Sequence, residues 1–126
     1  YMVQVKVERI HTLIFLGNEV TSLVSKEFQS LFEGAYVLAP QSPTMWMDDG
    51  TGAYQNGDKG SMYAESLFEM IDAYVKANDD IDPNRVIIGG CSNGGYMTME
   101  MVLKASNIFC SGFPNLRSIP RSIYYR

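Results

Sequence analysis

The stretch that decides the fold is Ile88-Gly89-Gly90-Cys91-Ser92-Asn93-Gly94-Gly95-Tyr96. It contains the pattern Gly90-x-Ser92-x-Gly94 between a β-branched run and a segment with helical periodicity. A serine on such a strand-to-helix turn is strained, and its hydroxyl is pushed out above the sheet. Side chains two residues to either side would collide with the neighbouring strand and helix, so we expect Gly90 and Gly94 to be required as glycines. The stretch therefore predicts a nucleophile elbow at Ser92.

The residue after the serine has a predicted role of its own. The backbone N–H of Asn93 is expected to point at a developing oxyanion, and the N-terminus of the helix adds its dipole. An alternative is a glycine-rich turn in which Ser92 merely caps the helix. A dinucleotide-binding loop fits poorly, because no G-x-G-x-x-G register passes through these residues. Cys91 is a poor candidate nucleophile, since Asn93 stands where its second glycine would be needed.

The segments around this turn alternate between strand and helix patterns. The predicted strands are Val3 to Val7, Thr12 to Leu16, Ala35 to Ala39 and Arg85 to Gly89, the last a buried strand. The predicted helices are Val20 to Phe32, Ser61 to Asn78 and about Asn93 to Lys104, with a long loop from Gln41 to Gly60. This alternation is typical of an α/β structure with a mainly parallel sheet and flanking helices. In such sheets the chemistry collects at the carboxyl ends of the strands, which is where Ser92 lies.

Length and composition narrow the classes of protein. The chain has 126 residues, 14 acidic and 10 basic, and a net charge of −4, which predicts one domain and argues against nucleic-acid binding. Its apolar runs are too short to span a membrane. One histidine and two cysteines rule out a Cys/His zinc site and a disulfide framework. Cys91 and Cys110 are expected to be free, buried thiols, and Met97 and Met101 are expected to fill the core. No metal or organic cofactor is predicted.

Residues 82–98, Asp82-Pro83-Asn84-Arg85-Val86-Ile87-Ile88-Gly89-Gly90-Cys91-Ser92-Asn93-Gly94-Gly95-Tyr96-Met97-Thr98, resemble the elbow of bacterial α/β-hydrolases. The group resembled is that of predicted peptidases, related to prolyl-oligopeptidase-like enzymes and to polyhydroxybutyrate-depolymerase-like or feruloyl esterases. The segment Leu38 to Pro43, followed by Trp46, resembles the part of the group that follows the preceding core strand. The resemblance runs from about Thr12 to Pro114.

The resemblance implies a serine hydrolase, with a small-molecule or polymer-linked ester as its substrate. Ser92 would attack the carbonyl and form an acyl-enzyme, and Asn93 would supply one oxyanion N–H. Trp46 and its loop would lie near the mouth of the substrate pocket; equally, the indole would pin a long loop to the core. The habits of the family favour an ester over a peptide substrate, and a serine peptidase of the same fold is the alternative.

The chain departs from the family's pattern where a base is needed. The family's chain order is Ser, then Asp or Glu, then His, but the only acid after Ser92 is Glu100, and the only histidine, His11, precedes it. The family's glycine-rich oxyanion segment is also missing after Leu16. We therefore expect residues 1–126 to form a single, incomplete α/β-hydrolase domain belonging to a longer enzyme. The competing interpretation is a non-catalytic binding or assembly module, whose unpaired sheet edge would favour a homo-oligomer. Secreted and cytoplasmic locations in bacteria are both compatible with the residues.

Overall fold

A computed structural model describes residues 20–51 and 59–115. Its longer elements are α1 (Lys26–Ser30), α2 (Ala64–Lys76), β1 (Val86–Cys91), α3 (Asn93–Lys104) and β2 (Phe109–Asn115). Short 3-10 helices cover Val20–Val24 and Pro83–Arg85. The chain divides into two compact units at the boundary between Gln41 and Ser42. Within the described ranges, no helix has the length and apolar character needed to cross a bilayer.

The first unit corrects the prediction of one helix from Val20 to Phe32. Ser25 adopts an extended conformation with φ −65° and ψ 153°, and its side-chain oxygen accepts a hydrogen bond from the N–H of Phe28. A serine in this position is a helix N-cap. The cap separates the 3-10 helix before it from α1 after it. The apolar periodicity that predicted one helix continues across the cap because it carries no signal of a break in the backbone; two of its leucines, Leu23 and Leu31, are in fact exposed.

The predicted strand from Ala35 to Ala39 is wrong for the described part of the chain, where residues 35–40 belong to no strand. Buried Gln29 holds the beginning of this segment: its Oε1 accepts the N–H of Ala35 at 2.6 Å, and its Nε2 donates to the carbonyl of Leu23 at 2.6 Å. A strand needs a partner ladder in addition to β-forming residues. The predicted strands Val3 to Val7 and Thr12 to Leu16 lie outside the described residues.

The second unit is built on a β1–α3–β2 arrangement. The two strands are parallel, with Ile88 opposite Gly112 and Gly90 opposite Pro114. Parallel neighbours require a long crossover connection, and α3 supplies it. This parallel pair with its helices agrees with the predicted α/β class; a larger mainly parallel sheet and a single domain over 1–126 stay predictions. The sequence pattern did not predict β2, because its Ser-Gly-Phe-Pro-Asn end is poor in strand-forming residues.

The core lies between α2, α3 and the beginning of β2. Its buried apolar residues are Ala64, Leu67, Met97, Met101, Ala105 and Phe109. Met97 and Met101 are one turn apart on α3, and the prediction that they fill the core is confirmed. The predicted helices agree with α2, which is a few residues shorter than expected, and with α3, whose bounds match.

The prediction that β1 is buried is wrong for one of its faces. Burial alternates along the strand, so that Ile88 is half-buried towards α3 while Ile87 is 48% exposed. Both cysteines are free, as predicted, but the prediction that they are buried is wrong, since both are exposed. Cys91 pairs in register with Asn115, five positions along β2 from Cys110. That offset is about 16 Å at 3.3 Å per residue, well beyond disulfide reach.

Candidate active site

Ser92 connects the end of β1 to the first residue of α3 and has an unusual backbone. Its φ is 53° and its ψ is −115°, and the residue is half-buried. Glu33 is the other non-glycine residue with a positive φ in the described chain. A non-glycine residue in such a sparsely populated region costs about 1–3 kcal/mol, and such residues cluster at functional sites. The turn at Ser92 is therefore strained, as the glycine-flanked serine predicted.

The serine does not cap the helix that follows it. Ser92 occupies the N-cap position of α3, but its side chain makes no capping hydrogen bond. A capping residue normally has an extended backbone, as Ser25 has, and Ser92 does not. The interpretation of Ser92 as a mere helix cap is therefore wrong, and the strain at this residue does not serve helix capping.

Gly90 is required as a glycine by direct contact. A Cβ at this position would overlap the carbonyl carbon and oxygen of Gly94 and would lie 2.9 Å from Thr98 Oγ1. Neither neighbour can move easily, since Thr98 is 1% exposed and its hydroxyl donates to the Gly94 carbonyl at 2.9 Å. The steric need for glycine at residue 90 agrees with the prediction, because the missing side chain lets β1 approach the first turn of α3. The place of Gly90 in a nucleophile elbow stays a prediction.

The same prediction is wrong for Gly94. A Cβ there would meet no atom within 4 Å. Gly94 contributes its backbone carbonyl, which packs against Gly90 and accepts the Thr98 hydroxyl, so a side chain on the opposite side would be accommodated. The sequence pattern is symmetric about Ser92, but the packing is not.

Asn93 has two separate functional groups at the turn. As the first residue of α3, its backbone N–H has no partner inside the helix, which is the geometry of a helix N-terminus. Its side chain does something that the sequence did not predict: Oδ1 accepts the backbone N–H of Met47 at 3.2 Å, across 46 residues of chain. This bond attaches the loop around Trp46 (residues 45–51, the Trp46 loop) to Asn93, the residue next to Ser92.

Trp46 packs inwards. Its ring meets that of Tyr63 edge-on, with centroids 6.0 Å apart at 90°, and it packs against the buried core. These are the contacts expected of an aromatic that pins a loop. That Trp46 and its loop lie near the mouth of a substrate pocket stays a prediction.

Buried Asp48 orders the loop that follows Trp46. Its carboxylate accepts the Thr44 hydroxyl and the Gly50 N–H, both at 2.8 Å. Its backbone carbonyl accepts the N–H of Met62 at 2.8 Å, which connects the loop to the start of α2. Next to it, hydrogen bonds from the Thr51 hydroxyl and N–H hold the pKa of Asp49 below its ordinary value. The loop is thus organised by its own carboxylates.

Glu100, the only acid after Ser92, is committed elsewhere. Both of its oxygens accept the N–H of Ser61 at 2.9 Å, and Lys104 Nζ lies 2.6 Å from Oε1. The carboxylate is buried and stands eight residues from Ser92, about 12 Å along the helix axis. Burial of the phenol, together with the charge of Glu100, raises the pKa of Tyr96. Glu100 therefore joins α3 to the turn before α2.

We expect Glu100→Ala to lower the free energy of unfolding by about 2 kcal/mol, because the buried N–H of Ser61 loses a charged acceptor. Asp72→Ala is the matched control: it also removes an acid from an i,i+4 pair with lysine, at 2.7 Å, but with both partners more exposed. That change should cost less than about 0.5 kcal/mol. Urea unfolding of both variants measures the difference. Equal losses would contradict the structural role of Glu100.

The comparison with known families agrees with this geometry. The sequence profile of the prolyl oligopeptidase family matches residues 45–115, more than half of the chain. The chain belongs to the prolyl oligopeptidase family. The matched segment begins in the Trp46 loop and ends with β2, so it contains Ser92 and both groups of Asn93.

A curated protein is also similar to part of the chain. Over 63 residues the chain is 36% identical to poly(3-hydroxyalkanoate) depolymerase C of Paucimonas lemoignei. The aligned part is 48% of this chain and 15% of that depolymerase. No solved structure gives a significant match. Together with membership of the prolyl oligopeptidase family, this similarity confirms the resemblance to α/β-hydrolase-type serine hydrolases.

A serine nucleophile needs a neighbouring base near neutral pH. Histidine is absent from residues 20–51 and 59–115, because His11 lies outside them. Those same ranges hold no group of three His, Cys, Asp or Glu side chains suited to a metal ion. The described part of the chain therefore presents a strained serine and a helix N-terminus, without the base that would activate the serine.

Proposed function

We propose that the protein is a serine hydrolase that cleaves carboxylic esters through an acyl-enzyme on Ser92. The observation that carries the proposal is the backbone of Ser92, a non-glycine residue held at φ 53° and ψ −115° between a parallel strand and a helix. Helix capping does not account for this strain, since the Ser92 side chain makes no capping hydrogen bond, but a nucleophile elbow requires such strain. Gly90, which admits no side chain, and Gly94, which contributes its carbonyl, complete this elbow.

In the proposed reaction, Ser92 Oγ attacks the ester carbonyl carbon while its proton passes to a base. The carbonyl oxygen becomes an oxyanion, which accepts a hydrogen bond from the backbone N–H of Asn93 at the N-terminus of α3. The intermediate collapses, the alcohol leaves with a proton, and water then hydrolyses the acyl-enzyme. A serine hydroxyl needs such a base near neutral pH. Activity is therefore measured on the protein as its cell produces it, so that any part of it that supplies the base is present.

Two observations bear on the substrate. The similar protein from Paucimonas lemoignei is named as a depolymerase of poly(3-hydroxyalkanoate), a polymer whose units are joined by esters. This supports an ester, either small or polymer-linked, as the substrate of the present protein. The prolyl oligopeptidase family, which its own name links to peptides, keeps a serine peptidase as the second candidate. We further propose that β1 and β2 belong to a larger, mainly parallel sheet of one α/β-hydrolase domain, and that α3 is one of its flanking helices.

A fluorophosphonate probe, which reacts covalently with activated serines, tests the assignment. We expect one adduct per chain in the wild-type protein and none in Ser92→Ala. The matched control is Ser111→Ala, which removes the hydroxyl of a half-buried serine on β2. This variant should react with the probe as the wild-type protein does. Hydrolysis of a p-nitrophenyl ester should fall roughly 10,000-fold or more in Ser92→Ala. Labelling that survives in Ser92→Ala refutes the assignment, and an unlabelled wild type supports the non-catalytic binding module.

The same proteins separate ester from peptide chemistry. We compare kcat/KM for a p-nitrophenyl ester and for the p-nitroanilide that carries the same acyl group. The ester proposal requires a large Ser92-dependent rate enhancement for the ester and a small one for the anilide, each measured relative to the uncatalysed reaction. A Ser92-dependent preference for the anilide would favour the peptidase.

A further inference from the structure

The Asn93 side chain joins two parts of the site that are far apart in sequence. Its Oδ1 accepts the N–H of Met47 at 3.2 Å, and its own backbone follows directly on Ser92. The loop is otherwise attached to the start of α2, through the Asp48 carbonyl and the Trp46–Tyr63 ring contact. The Asn93 bond adds an attachment to α3, at the residue that adjoins the strained turn.

We propose that the Asn93 side chain is a positioning residue that holds the Trp46 loop (residues 45–51) in register with Ser92, so that the loop forms one wall of the substrate site. The role of the loop as a wall rests on the function proposed above. The attachment itself rests only on the hydrogen bond. Asn93 would then act twice, with its N–H towards the oxyanion and its side chain towards the loop.

The choice of asparagine has a physical reason. Aspartate offers the same acceptor and is favoured by the dipole in the first turn of a helix. At residue 93, however, its charge would lie beside the developing oxyanion and would oppose the reaction. Alanine keeps the backbone N–H but offers no acceptor. Asparagine is the neutral side chain of this length that accepts the Met47 N–H without adding charge.

Trp46 is the one tryptophan of residues 1–126, and the part of the protein's fluorescence that is lost in Trp46→Phe reports on this loop without any need for activity. In Asn93→Ala we expect a red shift of the emission and increased quenching by acrylamide, whereas Asn93→Asp keeps the wild-type signal. Asn78→Ala is the matched control. It also removes a partly buried asparagine hydrogen bond, from Nδ2 to the Tyr74 carbonyl at 2.7 Å, but at the far end of α2. Its emission should be unchanged.

Kinetics with p-nitrophenyl esters test whether the Trp46 loop forms a wall of the substrate site. For an ester with a large acyl group, we expect Asn93→Ala to raise KM about fivefold, the equivalent of one neutral hydrogen bond. For the acetate ester, whose acyl group is the smallest, we expect KM to change little. Asn93→Asp should restore KM for the large ester but lower kcat for both, because of its charge. A merely structural role would reduce stability without separating the two esters.

Each contrary result overturns a defined part of the inference. Unchanged Trp46 emission and quenching in Asn93→Ala would refute the attachment. A changed emission with the same KM shift for large and small esters would refute the wall. If no variant or wild-type sample shows Ser92-dependent hydrolysis, the proposed function fails and the wall fails with it, and the fluorescence comparison still decides whether Asn93 holds the loop.

Discussion

Gly90→Ala should destabilise the protein by about 3 kcal/mol, at the upper end of the cost of overpacking. The added methyl group would overlap the backbone of Gly94 at the first turn of α3 and would crowd Thr98 Oγ1. The backbone can yield only if β1 moves away from α3 or the first turn opens. Either movement displaces Ser92, so fluorophosphonate labelling should be lost as well.

Gly94→Ala is the matched control for this prediction, since it adds the same methyl group two residues after Ser92 instead of two before. The Cβ would meet nothing within 4 Å, and alanine is favoured over glycine in a helix by up to about 1 kcal/mol. We expect stability equal to or slightly above wild type, with labelling retained. Urea unfolding of both variants measures the contrast. Similar losses in the two would contradict the asymmetric packing about Ser92.

The second large effect is a gain in stability. Ser92→Gly should raise the free energy of unfolding by about 1 kcal/mol, because glycine adopts the positive φ without the strain that serine bears. The gain is smaller than the full strain, since glycine also gives the unfolded chain more conformational freedom. Covalent labelling should disappear with the hydroxyl.

Ser92→Ala separates the strain from the hydroxyl. Alanine has a Cβ and remains strained at φ 53°, so its stability should stay close to that of wild type although it too cannot be labelled. Thermal or urea unfolding of the two variants decides the matter. If glycine is no more stable than alanine at residue 92, the turn does not store strain, and the main support for the nucleophile elbow is removed.

Those parts of the candidate site that depend on short-range sequence patterns were predictable. A β-branched run, a glycine-flanked serine and a 3.6-residue periodicity lie within residues 86–104, and they predicted β1, the turn and α3. The need for glycine at residue 90 follows from the same turn. The role of Gly94 was not predictable in this way, because the direction in which its absent side chain would point depends on how the helix leaves the strand.

The elements that were missed depend on distant partners. β2 has weak strand propensity and is defined by its ladder with β1, which the sequence does not show. Ala35 to Ala39 has strong strand propensity but no ladder among the described residues. Ser25 divides a predicted helix because its hydroxyl competes for a backbone N–H, a local choice that apolar periodicity cannot report.

By itself, the sequence determined that this protein has a strand–turn–helix unit with a strained serine at its turn, because the chain geometry of that turn allows few residues to substitute. Tertiary structure alone decided which groups surround the serine. It brought Met47 to Asn93 across 46 residues and committed Glu100 to Ser61 across 39. Such pairs are set by how helices and loops pack. A side chain's hydrogen-bonding capacity is written in the sequence, but its partner is chosen only when the chain has folded.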